Sequence, residues 1–248
     1  MSVEGEVIEA EANPAPKLRI LVCTPVYGDD VKRAYAHSMA QAMLYFLKTG
    51  SDVEKDIDVV MVYSSNLVEN RHLLVSKAFQ WEATHLLFWD ADIRAPADCI
   101  VRLVNHGQPI VAINYSKKEP EARPTAYIET DEYVGPCFTQ EQHTGLQEVT
   151  SCGFGLMLIE MSVLQKLSTP LFQFTQVGQD GYKTLTEDVF FCEKARAAGY
   201  HILIDHDLSK RCGHFGGWEY LCSHSDIAQQ AKQQIYRDMP TAGPDANA

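Results

Sequence analysis

The feature that most constrains the fold is a repeated alternation between short apolar runs and longer segments that favour helices. The apolar runs are Leu18–Thr24, Asp58–Tyr63, His85–Trp89 and Pro109–Ile113. Runs of this kind are typical of strands that are buried on both faces of a parallel sheet. The helical segments between them are Val31–Lys48, Asn70–Glu82 and Pro96–His106. The alternation therefore predicts an α/β fold with a mainly parallel central sheet and helices on both faces.

The second half of the sequence is less regular. Residues 115–150 mix short strand-like runs with turn residues, so we expect an excursion over the edge of the sheet. The regular elements predicted after this segment are Leu156–Ile159 (strand), Glu187–Ala198 (helix), Tyr200–Ile204 (strand) and Ala228–Arg237 (helix).

The two ends of the chain differ in composition from the middle. Residues 1–16 contain four glutamates, two prolines and no basic residue, which is typical of a disordered acidic tail. Residues 241–248 are similarly small and polar, and a second disordered tail is expected there. We expect residues 17–240 to form a single domain, because chains tend to divide only beyond about 250–300 residues.

The charge balance limits the classes of ligand. The chain has 21 Lys and Arg against 33 Asp and Glu, a formal net charge of −12. This excess argues against a general affinity for nucleic acid or anionic lipid, since both need a basic surface. It leaves open an anionic ligand that is held locally through a metal ion.

Three further observations bear on the cellular setting. No apolar run approaches the roughly 18 residues needed to cross a bilayer, and the acidic N-terminus differs from a signal peptide, so stable membrane insertion is not expected. The sequence has seven cysteines, an odd number, and they are spread along the chain. A cytoplasmic, reducing location is therefore the simplest expectation.

Polar segments follow the predicted strands at what should be a common edge of the sheet. They are Thr24–Gly28, Ser64–Asn66 and Asp90–Asp92. Ligands of parallel α/β sheets bind beyond the carboxyl ends of the strands, so these three loops are the candidate site.

Asp90 and Asp92 are the most informative pair in this set. They directly follow the predicted buried strand His85–Trp89, where two carboxylates one residue apart suit a divalent cation that bridges protein and phosphate oxygens. An Asp-x-Asp pattern alone is common, and a turn or a helix cap is the alternative. The position at a strand end favours the metal site.

Two further pairs have both a structural and a functional interpretation. Glu187 and Asp188 follow Thr186 at a predicted helix start, where acidic residues stabilise the first turn and can also act as a general base. Asn70 and Arg71 could cap their own helix or contact a diphosphate.

The order of these motifs resembles the nucleotide-sugar-dependent glycosyltransferases of the GT-A fold, a Rossmann-like α/β fold, and in particular the inverting family 2-like enzymes. The resemblance covers about residues 18–218. It implies a nucleotide contact for Thr24, Pro25, Tyr27, Asn70, Arg71, Asp90 and Ala91. It implies metal ligands at Asp90, Asp92 and His214, a catalytic pair at Glu187 and Asp188 with Asp188 as the base, and acceptor contacts at Gly153, Phe154 and Trp218.

The resemblance implies a metal-dependent inverting glycosyltransferase. It would use Mn²⁺ or Mg²⁺ and move a sugar from a nucleoside-diphosphate sugar, with UDP favoured, to an acceptor hydroxyl. A nucleotidyltransferase is the nearest enzymatic alternative, but it would favour a glycine-rich basic loop where this chain has TPVYGDD. A nucleotide-sugar-binding module without turnover is the third interpretation.

The acceptor and the oligomeric state stay open. A saccharide, a small molecule, a protein or a modified DNA base could each accept the sugar, and Lys117, Lys118 and Arg123 are the only hint of a nucleic-acid path. Trp218, which follows Gly216 and Gly217, fits either a mobile loop near the site or a glycine-rich turn with a core Trp.

A structural zinc site is an alternative use of the C-terminal cysteines and histidines. The candidate ligands are Cys192, Cys212, His214, Cys222 and His224. The spacing within each Cys-x-His pair is shorter than the usual two to four residues, which disfavours zinc.

Overall fold

The structure is a computed structural model that describes residues 17–28, 30–130, 132, 134–177 and 183–229. Its helices are α1 (Arg33–Lys48), α2 (Leu67–Gln80), α3 (Cys99–Asn105), α4 (Met161–Lys166), α5 (Glu187–Ala197) and α6 (His206–Ser209). The strands of the main sheet are β1 (Lys17–Val26), β2 (Glu54–Tyr63), β3 (His85–Trp89), β5 (Ile110–Ala112), β8 (Leu146–Val149), β9 (Leu156–Glu160) and β12 (Ile202–Asp205). The shorter strands are β4 (Ile93–Arg94), β6 (Tyr127–Glu129), β7 (Val134–Pro136), β10 (Thr175–Val177), β11 (Lys183–Leu185), β13 (Gly213–Phe215) and β14 (Glu219–Tyr220).

The main sheet has seven strands in the order β2-β1-β3-β9-β5-β12-β8. Strand β1 pairs in parallel with β2 and β3, and β5 pairs in parallel with β12. Strand β9 lies antiparallel between β3 and β5, and β8 is antiparallel to β12 at the edge. Five of the seven strands therefore run in one direction, and the predicted fold class is confirmed.

Helices cover both faces of this sheet, as predicted. On one face α1 and α3 bury a cluster that includes Tyr35, Phe46 and Leu103. On the other face α2, α4 and α5 bury a second cluster, which includes Leu74, Leu164 and Phe191. Because helices cover both faces of the sheet, the central strands consist of nearly continuous apolar residues.

Strand β2 differs from the prediction. The sequence Asp58–Tyr63 predicts a buried strand, but β2 is the edge strand of the sheet and its residues are exposed or half-buried. The apolar run does not distinguish an edge strand from a central one, because strand order depends on the crossover connections.

Three helices begin at residues other than those predicted. Helix α3 begins at Cys99 rather than Pro96. Helix α2 begins at Leu67 rather than Asn70, because the Asn66 side chain accepts the backbone N–H of Glu69 and caps the helix three residues earlier. Helix α1 begins at Arg33, and its N-cap residue Lys32 makes no side-chain capping bond. The predicted tails at 1–16 and 241–248 lie outside the described residues, as does most of the predicted helix Ala228–Arg237.

A three-stranded sheet of β14, β13 and β4 brings the late part of the chain to the end of β3. His214 pairs with Ile93, and the backbone N–H of Phe215 donates to the carbonyl of Asp92 over 2.8 Å. This small sheet positions His214 beside the aspartates. No helix within the described part of the chain is long and apolar enough to span a membrane.

Candidate active site

A cavity of about 580 Å³ opens at the carboxyl ends of β1 and β3, where the sequence places the polar loops. Its lining residues are Pro25, Tyr27, Asp30, Val31, Lys32, Leu67, Asp90, Ala91, Asp92, Tyr115 and His214. Segments far apart in sequence therefore meet in one cavity. Six of these residues are among the site residues that the resemblance implies: Pro25, Tyr27, Asp90, Ala91, Asp92 and His214.

A second, smaller cavity of about 190 Å³ adjoins the first and shares Pro25, Tyr27 and Leu67 with it. Asn70 lines this second cavity, and its buried Oδ1 has no hydrogen-bond partner, while its Nδ2 donates to the Ser64 carbonyl. A buried acceptor without a partner is costly unless a ligand or water satisfies it. The Asn70 amide is thus available to a bound molecule.

Thr24 lies beneath the site rather than in it. Its side chain is fully buried and its hydroxyl hydrogen-bonds the hydroxyl of Tyr35 from α1. Thr24 therefore fixes the start of the loop that carries Pro25 and Tyr27. The Tyr27 side chain is 83% exposed, so a face of its ring is free for stacking.

A tight turn fixes the two aspartates. Strand β3 ends at Trp89, whose indole N–H donates to the carbonyl of Ile93 over 2.9 Å. The backbone N–H of Asp90 donates to the carbonyl of Gly155, and that of Ile93 to the carbonyl of Asp90. The carboxylates of Asp90 and Asp92 are thus held at the cavity wall by backbone bonds that need no ligand.

Arg71 lies buried behind Asp90. Its Nε donates to Glu187 Oε1 over 3.1 Å, and its Nη2 lies 3.4 Å from Asp90 Oδ1. The guanidinium carbon is 4.9 Å from the ring centre of Phe88 and 4.7 Å from that of Phe154. The remaining nitrogen, Nη1, is buried without a partner. Because Arg71 is paired with two carboxylates and lines neither cavity, it positions Asp90 from behind rather than contacting a ligand in the cavity.

The pKa values of the two aspartates are shifted in opposite directions. Burial raises the pKa of Asp90 to about 6, which Arg71 opposes and the nearby Asp92 and Glu187 reinforce. Burial also acts on Asp92, but its hydrogen bond to His214 and its ion pair with Lys118 outweigh burial and lower its pKa. Separated pKa values in neighbouring carboxyl groups are typical of functional sites.

His214 faces Asp92 in a way that favours a cation between them. Its Nδ1 lies 2.8 Å from the Ser116 carbonyl, which can only accept, so Nδ1 carries the proton. In the neutral imidazole Nε2 is then an acceptor, and it lies 3.4 Å from Asp92 Oδ1. With a proton on Nε2 the ring donates the hydrogen bond that lowers the pKa of Asp92. Without that proton two acceptors face each other, and a metal ion between them would take the place of the proton.

The donor set fits Mg²⁺ or Mn²⁺, but the three implied ligands are not assembled. Asp92 and His214 are adjacent, whereas Asp90 lies against Arg71. Among the described residues no group of three or more His, Cys, Asp or Glu side chains is arranged to hold a metal ion. Carboxylate oxygens with one imidazole nitrogen nevertheless suit these cations. Acidic groups also exceed basic ones around the cavity. The acidic residues are Asp30, Asp90, Asp92, Glu187 and Asp188, and the basic ones are Lys32, Arg71 and Lys118.

The structure separates the roles of Glu187 and Asp188. Glu187 is buried and paired with Arg71, so its carboxylate supports the site from behind and is not presented to a substrate. Asp188 is half-buried and close enough to contribute to the raised pKa values of Arg71 and Tyr115. Thr186 does not cap α5 with its side chain; its hydroxyl donates to Asp188 Oδ1.

The implied acceptor residues occupy three different environments. Phe154 is buried, and its ring stacks on Phe88 with centres 5.2 Å apart, so it forms the floor beneath Arg71 and offers no exposed face to an acceptor. Gly153 lies against the hydroxyl of Tyr115. Trp218 is 59% exposed, stacks on Tyr220, and lines a separate cavity of about 290 Å³.

Six residues of the site are not assigned to it from the sequence, and three of these, Asp30, Val31 and Leu67, line the cavity. Tyr115 lines the cavity and its ring packs edge-on to His214 with centres 5.1 Å apart. Lys32 also lines the cavity, and its backbone N–H donates to the Ala91 carbonyl. Lys118 forms an ion pair with Asp92. In the sequence, Lys118 stands out only as a member of the basic cluster Lys117, Lys118 and Arg123. The structure gives the three residues different partners, since Lys117 donates to the hydroxyl of Tyr127 and Arg123 donates to Glu119.

The zinc alternative finds no support in the described residues. The seven cysteines are all buried and free. Cys222 Sγ contacts the carbonyls of Asn114 and Ser209, and His224 Nδ1 accepts the backbone N–H of Leu221. His214 faces Asp92 rather than a thiol.

Comparisons with known proteins give weak similarities only. No family model matches the chain, and no curated protein shows significant similarity to it. The protein A197 from STIV is similar over 80% of this chain and 86% of its own, with 19% identity and a TM-score of 0.49. A nucleoside-diphosphate-sugar pyrophosphorylase from Vibrio cholerae RC9 has 9% identity and a TM-score of 0.42 over 85% of this chain and 99% of its own. A UDP-glucose pyrophosphorylase complexed with UDP-glucose has 10% identity and a TM-score of 0.44 over 89% and 99%. These identities and TM-scores are too low to assign the activity of any of these proteins to this chain.

Proposed function

We propose that this protein is a divalent-cation-dependent inverting glycosyltransferase that uses a nucleoside-diphosphate sugar, with UDP favoured. The observation that supports it best is the cavity in which Tyr27, Asp90, Asp92 and His214 meet in front of the buried Arg71. The order of motifs along the chain, which resembles GT-A glycosyltransferases, adds to this observation.

The nucleoside would occupy the smaller cavity beside Tyr27. Its base can stack on the exposed ring of Tyr27, as flat aromatic groups favour offset stacking. The unpartnered Oδ1 of Asn70 can accept a hydrogen bond from a base or ribose donor. The diphosphate would then extend into the larger cavity, which shares Pro25, Tyr27 and Leu67 with the smaller one.

Asp90, Asp92 and His214 would hold Mn²⁺ or Mg²⁺. A cation held there would neutralise charge on the diphosphate and so improve it as a leaving group. Arg71 fixes Asp90 through its Nη2, and the Ser116 carbonyl fixes the tautomer of His214. These contacts hold Asp90 and His214 separately, and a bound cation would bring them together with Asp92.

Asp188 would act as the general base. Both hydrogen bonds that described residues make to its carboxylate fall on Oδ1, from Thr186 and from the backbone N–H of Val189. Oδ2 would take the proton of the acceptor hydroxyl while that oxygen bonds to the anomeric carbon. The bond from this carbon to the diphosphate breaks, and the diphosphate leaves with the electron pair. A single displacement of this kind inverts the anomeric configuration.

Lys32 and Lys118 at the cavity keep nucleotidyl transfer as a second candidate. The first loop, TPVYGDD, contains no basic residue, which disfavours a nucleotidyltransferase. In the structure, however, Lys32 lines the cavity and Lys118 pairs with Asp92. Ammonium groups near a phosphate site can hold the pyrophosphate that a nucleotidyltransferase releases or consumes.

Ligand-induced thermal stabilisation tests the proposal. The full-length chain would be screened against UDP, GDP and their sugars, with Mn²⁺ and with chelator. We expect UDP and at least one UDP-sugar to raise Tm only when Mn²⁺ is present, because binding to the native state alone stabilises it. Asp92→Asn should remove the shift, while the exposed control Asp52→Asn should keep it.

Product analysis then separates the two enzymatic candidates. Release of UDP from a UDP-sugar in the presence of Mn²⁺ indicates sugar transfer or its hydrolytic side reaction. Formation of UTP from a UDP-sugar and pyrophosphate indicates nucleotidyl transfer instead. Absence of stabilisation by every nucleoside diphosphate, with and without Mn²⁺, would refute both candidates.

A further inference from the structure

Lys118 occupies a position that the proposed reaction leaves unexplained. Its ammonium group forms an ion pair with Asp92 Oδ2, the carboxylate that is also 3.4 Å from His214. The alkyl part of Lys118 lies against Gly216, where an added Cβ would be 3.2 Å from Lys118 Cδ. The side chain is 35% exposed, so its far end can move without disturbing the core.

Both oxygens of Asp92 are therefore engaged by groups of this chain. Oδ1 faces His214 and Oδ2 faces the ammonium of Lys118. A divalent cation that binds Asp92 would lie next to this ammonium, and like charges at such a distance repel each other. The cation and Lys118 must compete for the same carboxylate.

We propose that Lys118 is the resident counter-ion of Asp92, and that it exchanges for the divalent cation and then pairs with the diphosphate of the donor. The inference rests on the proposed function, since it assumes a cation at Asp92 and a nucleoside diphosphate beside it. The flexible four-carbon stem of a lysine permits such a change of partner. The diphosphate supplies the anion that the displaced ammonium then lacks.

The exchange couples the two ligands thermodynamically. A cation that binds alone must break the Lys118–Asp92 pair, and the ammonium is left without a partner. When the nucleotide is also bound, the ammonium of Lys118 pairs with its diphosphate. Cation and nucleotide therefore favour each other's binding, and by linkage the effect is reciprocal.

The test variant is Lys118→Met, which keeps an unbranched apolar stem against Gly216 but removes the charge. Affinity for Mn²⁺ alone would be measured from the electron paramagnetic resonance signal of free Mn²⁺. Affinity for UDP would be measured by calorimetry at saturating Mn²⁺. We expect Mn²⁺ alone to bind about two- to fivefold more tightly, the range of a partly exposed ion pair. We expect UDP to bind about tenfold more weakly, because a charged hydrogen bond to it is lost.

The opposite signs of these two effects distinguish exchange from a general structural defect. Lys117→Met is the matched control, because Lys117 bonds the hydroxyl of Tyr127 and does not touch Asp92. It should change neither affinity.

Each result decides the inference. Tighter Mn²⁺ binding together with weaker UDP binding supports it. Unchanged or weaker Mn²⁺ binding by Lys118→Met overturns it, and so does unchanged UDP affinity at saturating Mn²⁺. If the wild type and both lysine variants bind Mn²⁺ and UDP equally well, only the role of Lys118 fails. If no form of the protein binds Mn²⁺, the metal site of the proposed function fails and the inference fails with it.

Discussion

Arg71 Nε lies 3.1 Å from Glu187 Oε1, and both side chains are buried although 116 positions separate them in the sequence. This ion pair joins the second turn of α2 to the first turn of α5 beneath the candidate site. The same guanidinium reaches Asp90, so one cation links two helices to the turn that follows β3.

Arg71→Met should strongly destabilise the protein. The substitution leaves Glu187 buried without a partner, and breaking a buried pair in this way costs about 3–5 kcal/mol. Urea denaturation followed by circular dichroism measures the loss in the free energy of unfolding. Arg123→Met is the matched control, because its pair with Glu119 is exposed and should contribute little to stability. A loss below about 1 kcal/mol for Arg71→Met would contradict the structural role assigned to the buried pair.

Asp90→Asn should stabilise the metal-free protein at pH 7.5. The pKa of Asp90 is about 6 in the folded state against 3.8 for an unperturbed aspartate, so the folded state binds the proton more tightly. The resulting stability is fully present below pH 3.8 and is lost as the pH rises through 6. Above pH 6 the ionised carboxylate of Asp90 lowers the free energy of unfolding by up to about 3 kcal/mol. An asparagine at this position avoids that loss because it carries no charge.

Asp92→Asn should have the opposite effect, because the pKa of Asp92 is lowered. The ionised form of Asp92 stabilises the fold above the unfolded pKa, and this contribution is lost as the pH falls. Thermal unfolding of both variants in chelator between pH 4 and pH 7.5 provides the comparison. The advantage of Asp90→Asn should shrink toward pH 4. If both variants changed stability with the same sign at pH 7.5, the assigned pKa directions would be wrong.

Asp188→Asn should abolish most turnover and leave donor binding intact. Removal of a general base typically costs about 10²–10⁴-fold in rate, while the amide keeps the size and the hydrogen bonds of the side chain. Steady-state assays of nucleoside diphosphate release, together with calorimetric UDP binding, separate the two effects. Glu193→Gln, an exposed substitution further along α5, serves as the control. Normal turnover in Asp188→Asn would exclude this residue as the base.

Alanine at Gly153 or Gly155 should destabilise the protein through contact with Tyr115. A Cβ at Gly153 would lie 2.3 Å from the Tyr115 hydroxyl, and one at Gly155 would lie 2.6 Å from the Tyr115 ring carbon Cε1. Overpacking of this kind costs about 1–3 kcal/mol. Tyr115→Phe should restore part of the stability of Gly153→Ala, because the hydroxyl makes the shortest contact there. It should restore none for Gly155→Ala, where the ring itself is in the way. Equal recovery in both backgrounds would show that the hydroxyl is not the cause.

Several features of the fold and the site could be predicted from local patterns. Apolar runs predict β1, β3, β5, β9 and β12, since burial on both faces demands such runs. The pair Asp90 and Asp92 could be placed at the cavity because it directly follows a buried strand. His214 could be assigned to the same site only through the resemblance, because no local pattern connects it with residues more than 120 positions earlier.

Other features depend on contacts that no local pattern encodes. Strand β2 is an edge strand because of the order in which the crossovers place the strands. Glu187, which the resemblance makes catalytic, is instead the buried partner of Arg71. Phe154 lies beneath that guanidinium rather than in an acceptor pocket.

The amino-acid sequence by itself determined the class of fold and the position of the two aspartates, since both follow from the periodicity of burial along single elements. Only the tertiary structure decided which charges meet. Lys118 and Asp92 are 26 positions apart and Arg71 and Glu187 are 116 apart. Such pairs form because buried or crowded charges require partners, and the packing of distant elements determines which partner lies within reach.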